Sequence, residues 1–257
     1  MELVDTHCHP HFENYGLDAV QTLKDAAAAG VTRLICVGTT VNDSVRARRF
    51  AEEHPNVWAT AGAHPHEASR FAAQLESNLA ELAELATSPK VVAIGETGLD
   101  YFRRRSSPEA QKKVLYAQIG LGRQLGKPMV FHVRDAWDDF WPIFDQFDGV
   151  RGVVHSFSAH PEHLKPILAR GLYVGLNGIM TFTQDKRQLA AARQIPLGSL
   201  LLETDAPFLT PVPFRGKICE PKHARVVAEF LADLRGENIE ELAAATTKNA
   251  RELFGLN

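Results

Sequence analysis

Eight short, β-rich apolar runs alternate with stretches of helical periodicity along this chain, and the alternation predicts an α/β fold, a (β/α)8 or TIM barrel. Several runs are apolar at successive positions, as in Val91-Val92-Ala93-Ile94, which is typical of parallel strands buried on both faces. The chain has 257 residues, close to the usual length of about 250 for this fold. No linker, repeat or change of composition divides it, so we predict a single domain over residues 1–257.

The predicted strands, in chain order, are Leu3–Asp5, Arg33–Gly38, Val57–Gly62, Val91–Glu96, Pro128–Val133, Gly152–Ser156, Tyr173–Asn177 and Leu201–Asp205. The predicted helices are Leu17–Ala29, Asp43–His54, Leu75–Thr87, Ser107–Leu125, Ala136–Phe147, Pro161–Arg170, Asp185–Arg193, Pro221–Leu234 and Ile239–Phe254. Gly30 is a typical helix stop, and Ser107 followed by Pro108 is a typical helix start. An open doubly wound sheet is the alternative, but no Gly-x-Gly-x-x-Gly follows the first predicted strand.

Composition restricts the classes of partner and compartment. The formal net charge is -3, so a polyanion would have to be held by a local basic patch or by metal ions. The three widely spaced cysteines argue against a disulfide framework and favour a reducing cytosol. Neither a signal peptide nor an apolar run of about 18 residues is present. We therefore predict a cytoplasmic protein with no membrane partner, and we infer no obligate protein partner.

Histidine and carboxylate side chains stand at the ends of five predicted strands. Side chains alternate faces along a strand, so His7 and His9 point the same way and can reach one metal ion. Buried strands seldom carry such groups unless these are paired or bound to metal, and a barrel has its active site at the carboxyl ends of its strands. We therefore predict a metal site there, with the ligands His7, His9, Glu96, His132, His155 and Asp205.

Four histidines and two carboxylates exceed the needs of one tetrahedral ion and suit two divalent ions, which we expect to be Mg²⁺, Mn²⁺ or Zn²⁺. We predict two catalytic residues: Glu96 as the bridging ligand, and Asp205 as the group that orients and deprotonates the attacking water. The structural alternatives are a buried salt bridge for Glu96 and core hydrogen bonds for His132 and His155. His64, after the third strand, has either a structural role or a substrate contact.

Two basic segments follow predicted strands. The first is Tyr101-Phe102-Arg103-Arg104-Arg105, in which the aromatic rings can stack on bases and the arginines can bind phosphate. The second, after the eighth strand, contains Arg215, Lys217 and Lys222. Ordinary solvated charge is the alternative interpretation of both segments, but their expected place beside the metal site favours a substrate role.

Six motifs together resemble the TatD family of metal-dependent hydrolases, and they cover essentially the whole chain in the family's order. They are Val4-Asp5-Thr6-His7-Cys8-His9, Gly62-Ala63-His64-Pro65-His66, Ile94-Gly95-Glu96-Thr97-Gly98-Leu99-Asp100-Tyr101, Phe131-His132-Val133-Arg134-Asp135-Ala136, His155-Ser156-Phe157-Ser158 and Glu203-Thr204-Asp205-Ala206-Pro207. The resemblance implies a metal-dependent deoxyribonuclease that acts 3′–5′ on single-stranded DNA ends. It also implies the six ligands named above and a substrate-side role for His64. Substrate-binding residues are accordingly predicted to be His64, Tyr101, Arg103, Glu203 and Arg215.

One segment departs from the family pattern. After strand 8 the family usually has Arg-Gly-Lys-Arg-Asn-Glu-Pro, whereas this chain has Ile218 and Cys219 in place of the second arginine and the asparagine. Substrate preference is therefore the open point, and the principal alternative is an amidohydrolase or esterase, for example an aminoacyl-tRNA deacylase. Glu96 stands where many binuclear amidohydrolases carry a carboxylated lysine, which favours the nuclease. A metal-binding scaffold without catalysis is the third possibility, disfavoured by the complete ligand set and the candidate base.

Overall fold

The computed structural model describes residues 1–256 and confirms the predicted fold class. One eight-stranded sheet has the strand order β1 to β8, with helices between successive strands. The strands are β1 (Leu3–Cys8), β2 (Val31–Cys36), β3 (Val57–Ala61), β4 (Val91–Asp100), β5 (Met129–Arg134), β6 (Gly152–Val154), β7 (Tyr173–Leu176) and β8 (Leu200–Leu202).

The helices that connect the strands match the predicted order and add two short ones. They are α1 (Ala19–Ala28), α2 (Val41–Glu53), α3 (Ala68–Ala73), α4 (Leu75–Leu85), α5 (Pro108–Leu125), α6 (Trp137–Phe144), α7 (Pro161–Ala169), α8 (Ile179–Phe182), α9 (Lys186–Gln194), α10 (Ala224–Arg235) and α11 (Ile239–Phe254). Single 3-10 turns lie at Pro65–Glu67, Leu197–Ser199 and Pro221–His223. Helices α3 and α8 have six and four residues, too few to show a helical period in the sequence. Among residues 1–256, no helix combines the length and hydropathy needed to cross a bilayer.

Strand β4 extends four residues beyond the predicted end at Glu96, to Asp100. Residues 97–100 pair in register with Phe131–Arg134 of β5, and every residue of β4 is buried. Gly98 allows this pairing, because a Cβ at its position would collide with the carbonyl oxygen of His132 and its φ is +153°. Residues 97–100, which lie beyond the end of the predicted strand, therefore belong to the sheet.

The chain divides into two compact units. The first unit comprises Met1–Cys36 together with the residues from Ser156 onward, and the second comprises Val37–His155. The first therefore contains β1, β2, β7 and β8, and the second contains β3 to β6. The single domain predicted from sequence stays a prediction.

In the first unit, the end of β1 lies beside the segment that follows β8. The Asp205 amide donates a hydrogen bond to the His7 carbonyl (2.8 Å), and the His9 amide donates to the Ala206 carbonyl (2.7 Å). On its other side β1 pairs with β2 in parallel, with Cys8 opposite Cys36. These backbone bonds fix the positions of His7, His9 and Asp205 relative to one another.

In the second unit, helix α5 fixes the ends of β3 and β4 through two buried glutamines. Gln118 accepts a hydrogen bond from the Ala63 amide (2.9 Å) and donates to the Ala63 carbonyl (3.0 Å) and to Thr97 Oγ1 (2.7 Å). Gln111 accepts from the Asp100 amide (2.7 Å) and donates to the Asp100 carbonyl (3.2 Å). Both glutamines are fully buried, so these bonds satisfy backbone groups that water does not reach.

We predict that Gln118→Leu lowers the free energy of unfolding by about 3 kcal/mol, since each buried polar group that loses its partner costs roughly 1–3 kcal/mol. Urea denaturation monitored by circular dichroism measures the change. Gln124→Leu, at an exposed position of the same helix, is the matched control and should leave the midpoint nearly unchanged. Equal midpoints for the two variants would show that the Gln118 bonds contribute little.

Candidate metal sites

The first cluster of possible metal ligands consists of His7, His9 and Asp205, all in the first unit. Nε2 of His7 and Nε2 of His9 each lie 3.6 Å from Oδ1 of Asp205. Both histidines are buried, and the Asp205 side chain is 18% exposed. Three donor atoms therefore converge on one point that is accessible from the Asp205 side.

Asp5 forms hydrogen bonds with residues on both sides of this cluster. Its carboxylate accepts hydrogen bonds from Thr204 Oγ1 (2.6 Å), from the Thr204 amide (3.0 Å) and from the His7 amide (3.2 Å). Burial raises the pKa of Asp5 well above its ordinary value, although the bonds from Thr204 and His7 oppose the shift. Asp5 thereby joins the residue before Asp205 to the backbone of His7.

The second cluster lies in the second unit and is centred on Glu96. Three imidazole nitrogens surround its Oε1 atom: His132 Nδ1 at 2.9 Å, His155 Nε2 at 3.3 Å and His64 Nε2 at 3.4 Å. Glu96 is 3% exposed. Since a carboxylate at this depth requires compensating partners, the three histidines help to make its burial tolerable.

His132 has a second carboxylate partner, Asp100, which the sequence analysis did not single out. Nε2 of His132 lies 3.1 Å from Oδ2 of Asp100, and Nε2 of His66 lies 3.1 Å from the same oxygen. Burial lowers the pKa of His132, but the bonds to Asp100 and Glu96 outweigh it and the pKa rises. Burial likewise opposes ionisation of Asp100, yet its bonds from His132, the Arg103 amide and His66 hold its pKa well below the ordinary range.

The hydrogen bonds of His64 indicate which of its nitrogens carries the proton. Nδ1 of His64 accepts a hydrogen bond from the His66 amide at 3.0 Å. The neutral ring therefore carries its proton on Nε2, the nitrogen that faces Glu96. Burial lowers the pKa of His64, which keeps the ring neutral near pH 7. His64 is thus suited to donate a hydrogen bond through Nε2. The substrate-side role that the family resemblance implies stays a prediction.

The first cluster fits a divalent metal ion. Its nitrogen–oxygen distances of 3.6 Å are too long for hydrogen bonds. Metal–ligand bonds near 2.1 Å with tetrahedral angles would place donor atoms about 3.4 Å apart, close to this spacing. Imidazole nitrogen and carboxylate oxygen together suit Zn²⁺ or Mn²⁺, and a carboxylate-rich set suits Mg²⁺. The second cluster has the same donor types around one carboxylate oxygen, and two of its distances, 3.3 Å to His155 and 3.4 Å to His64, are close to this spacing.

The predicted substrate-binding residues have diverse surroundings. Tyr101 donates its hydroxyl proton to Asp139 (2.7 Å), and burial raises the pKa of this tyrosine. Arg103 is exposed, with its guanidinium 5.5 Å from the Phe102 ring. Arg215 stacks on another phenylalanine ring at 3.9 Å and donates to a backbone carbonyl, which holds its side chain in place.

Glu203 is 1% exposed, and its carboxylate accepts hydrogen bonds from the Ser156 amide (2.6 Å) and the Asn177 side chain (3.3 Å). These bonds indicate that Glu203 organises the interior of the first unit. Its predicted substrate contact, like those of Tyr101, Arg103 and Arg215, stays a prediction.

Three histidines that were not singled out from the sequence have defined partners. His66 lies in a 3-10 turn and bonds Asp100. His11 is 8% exposed, with its ring 5.8 Å from that of His9. His223 is 5% exposed and accepts a hydrogen bond from the Glu220 amide in a capping box. None of the three ends a predicted strand, and this is why a search of strand ends missed them.

The chain matches the family model described as TatD related DNase over residues 4–255. The chain belongs to this family. A relative in Bacillus subtilis, named as the uncharacterized metal-dependent hydrolase YabD, is 38% identical over 257 residues, which cover 99% of this chain and 100% of the relative. The 3′–5′ ssDNA/RNA exonuclease TatD of Citrobacter rodentium is 38% identical over 249 residues, with 93% of this chain and 92% of that protein covered.

A solved structure supports the same conclusion for the fold. The crystal structure of YjjV, a TatD homologue from Escherichia coli, superposes with a TM-score of 0.92 at 30% identity and covers 99% of this chain and 98% of that one. Because these matches span nearly the full length of both chains, the family resemblance inferred from six short motifs is confirmed. The roles of individual site residues are not settled by similarity and stay predictions.

Proposed function

We propose that this protein is a metal-dependent phosphodiester hydrolase that removes nucleotides from single-stranded DNA in the 3′–5′ direction. The observation that carries the proposal is the convergence of imidazole and carboxylate atoms into two clusters, one around Asp205 and one around Glu96. A relative named as a 3′–5′ ssDNA/RNA exonuclease, 38% identical over 249 residues, supports the choice of substrate. Exposed arginines at 103–105, two residues beyond the end of β4, add positive charge for a phosphate backbone.

Each cluster would hold one divalent ion. In the first, His7, His9 and Asp205 supply the ligand atoms; in the second, Glu96, His132 and His155 supply them, while His64 is the donor kept for substrate. A bridge from Glu96 between two ions stays a prediction from sequence. When bound, the ions supply Lewis-acid stabilisation of the phosphoryl oxygens and lower the pKa of water.

The chain's own residues then have separate tasks. Asp205 accepts a proton from the attacking water and orients it, because its carboxylate lies at the more accessible edge of the first cluster. His64, neutral with its proton on Nε2, donates a hydrogen bond to a phosphoryl oxygen. Arg103 and its neighbours bind the phosphates of the incoming strand.

We expect linear single-stranded DNA to be degraded from its 3′ end, and a circular strand of the same sequence to resist. A barrel mouth does not admit a duplex about 20 Å wide, whereas single bases can pass between aromatic and cationic side chains. Gel analysis of 5′-labelled and 3′-labelled strands measures the direction, with loss of activity in chelator and recovery in Mg²⁺ or Mn²⁺.

Equal rates on linear and circular strands would contradict the exonuclease mode and indicate internal cleavage. Cleavage of neither strand, combined with turnover of a model ester or amide, would favour the amidohydrolase alternative.

Asp205→Asn should lower kcat by about 10²- to 10⁴-fold, because asparagine keeps the shape of the side chain but cannot accept the proton of water. Circular dichroism should show an intact fold, and metal analysis should still find ion bound at the Glu96 cluster. Asp148→Asn, at an exposed position that belongs to neither cluster, is the charge-matched control. Near-normal activity of Asp205→Asn would remove Asp205 from the proton transfer.

Replacing Arg103 and Arg105 together by glutamine should raise KM for single-stranded DNA and flatten its salt dependence. Each lost phosphate contact lowers the slope of log affinity against log salt by roughly 0.7 for a single strand. Thermal stability should hardly change, since exposed charges contribute little. Lys248→Gln on α11, where the side chain is 72% exposed, is the control. An unchanged salt slope in the double variant would show that these arginines are only solvated charges.

A further inference from the structure

Asp100 occupies an unusual position for a residue with no assigned role. It is the last residue of β4, 1% exposed, and its backbone amide and carbonyl are both bonded to the buried side chain of Gln111. The two oxygens of its carboxylate have different partners. Oδ2 meets the imidazoles of His132 and His66, each at 3.1 Å, whereas Oδ1 accepts a hydrogen bond from the Arg103 amide at 2.7 Å.

We infer that Asp100 is a positioning residue that fixes the tautomer of His132 and anchors the turn that carries Arg103. The inference rests on the proposed function, in which His132 is a metal ligand. Both nitrogens of His132 face a carboxylate: Nδ1 faces Glu96 at 2.9 Å and Nε2 faces Asp100 at 3.1 Å. An imidazole that ligates an ion uses the lone pair of one nitrogen, so an ion held through Nδ1 requires the proton to be on Nε2, where Asp100 accepts it.

The Asp100 carboxylate also connects His132, the proposed metal ligand, to the turn that carries Arg103. Arg103 follows β4 after only two residues, and its amide is held by Oδ1 of the side chain whose Oδ2 holds His132. The backbone of Asp100 cannot shift to accommodate a change at either partner, because Gln111 from α5 holds it on both sides. The distance between a ligand of the second cluster and the first arginine of the basic segment is thereby set by one rigid residue.

Asp100→Asn separates the two tasks. With its oxygen still accepting from the Arg103 amide, the asparagine presents NH2 where Oδ2 stood, and this donor favours a His132 ring with its lone pair on Nε2 and its proton on Nδ1. That tautomer cannot ligate an ion through Nδ1. We expect the affinity for Mn²⁺ at this cluster to fall roughly 10- to 100-fold, the range found when an orienting partner of a ligand is lost. At saturating Mn²⁺, KM for single-stranded DNA should be unchanged, because the Arg103 turn keeps its bond.

His66→Gln is the matched control. It removes the other imidazole from the same oxygen and leaves the bond between Asp100 and His132 intact, so Mn²⁺ affinity should stay at the wild-type value. Isothermal titration of the metal-free proteins with Mn²⁺ alone measures all three affinities. Nitrogen-15 spectra of histidine-labelled wild type loaded with diamagnetic Zn²⁺ report the tautomer directly and do not depend on how well a variant folds. They should show His132 protonated on Nε2, the nitrogen that faces Asp100.

The outcomes are distinct. Equal Mn²⁺ affinity in wild type and Asp100→Asn, an equal loss in His66→Gln, or a His132 proton on Nδ1 in the Zn²⁺-loaded wild type would each overturn the inference and leave the proposed function intact. A wild-type protein that binds no Mn²⁺ would instead overturn the proposed function.

Discussion

The burial of Glu96 is the constraint on which the rest of the second unit depends. A carboxylate that is 3% exposed in a sheet interior is costly unless several donors face it, and three imidazole nitrogens lie within 3.4 Å of one of its oxygens. Those histidines come from three separate segments: one after β3, one in β5 and one after β6. Each of these segments must therefore place its histidine beside the buried Glu96 carboxylate. This requirement limits the registers that the neighbouring strands can adopt.

Three buried polar side chains meet that requirement by forming hydrogen bonds with the backbone beside the candidate ligands. Gln118 clamps Ala63, the residue before His64, and Gln111 clamps Asp100, the residue that bonds His132. In the first unit Asp5 does the equivalent work between His7 and Thr204. A ligand supported in this way has few accessible rotamers, and little ordering entropy remains to be lost when an ion binds.

Site residues whose positions follow from the alternation of side chains along a strand can be predicted from the sequence. Site residues whose positions depend on the pairing of strands cannot. His7, in β1, and His9, directly after its last residue, are foreseeable because residues two apart in an extended chain share a face. Asp100 is not, because Gly98 and Asp100 are poor strand formers and the sequence alone does not show that residues 97–100 pair with β5. His66 is missed for a related reason: its partner is Asp100, and a single 3-10 turn leaves no periodic signal. Helices α3 and α8 are likewise too short to give a periodic signal in the sequence.

The departure from the family pattern after β8 can be interpreted in the same physical terms. Cys219 is fully buried, its amide bonds the Pro207 carbonyl, and its sulfur lies 3.6 Å from Nδ1 of His223. Burial raises the pKa of this thiol, so it packs as a neutral group. Ile218, by contrast, is 39% exposed. The change at 219 is therefore one of packing, whereas the change at 218 replaces a positive charge by an exposed apolar side chain between the charges of Lys217 and Lys222. Of the two, only the residue at 218 changes the surface that a nucleic acid would meet.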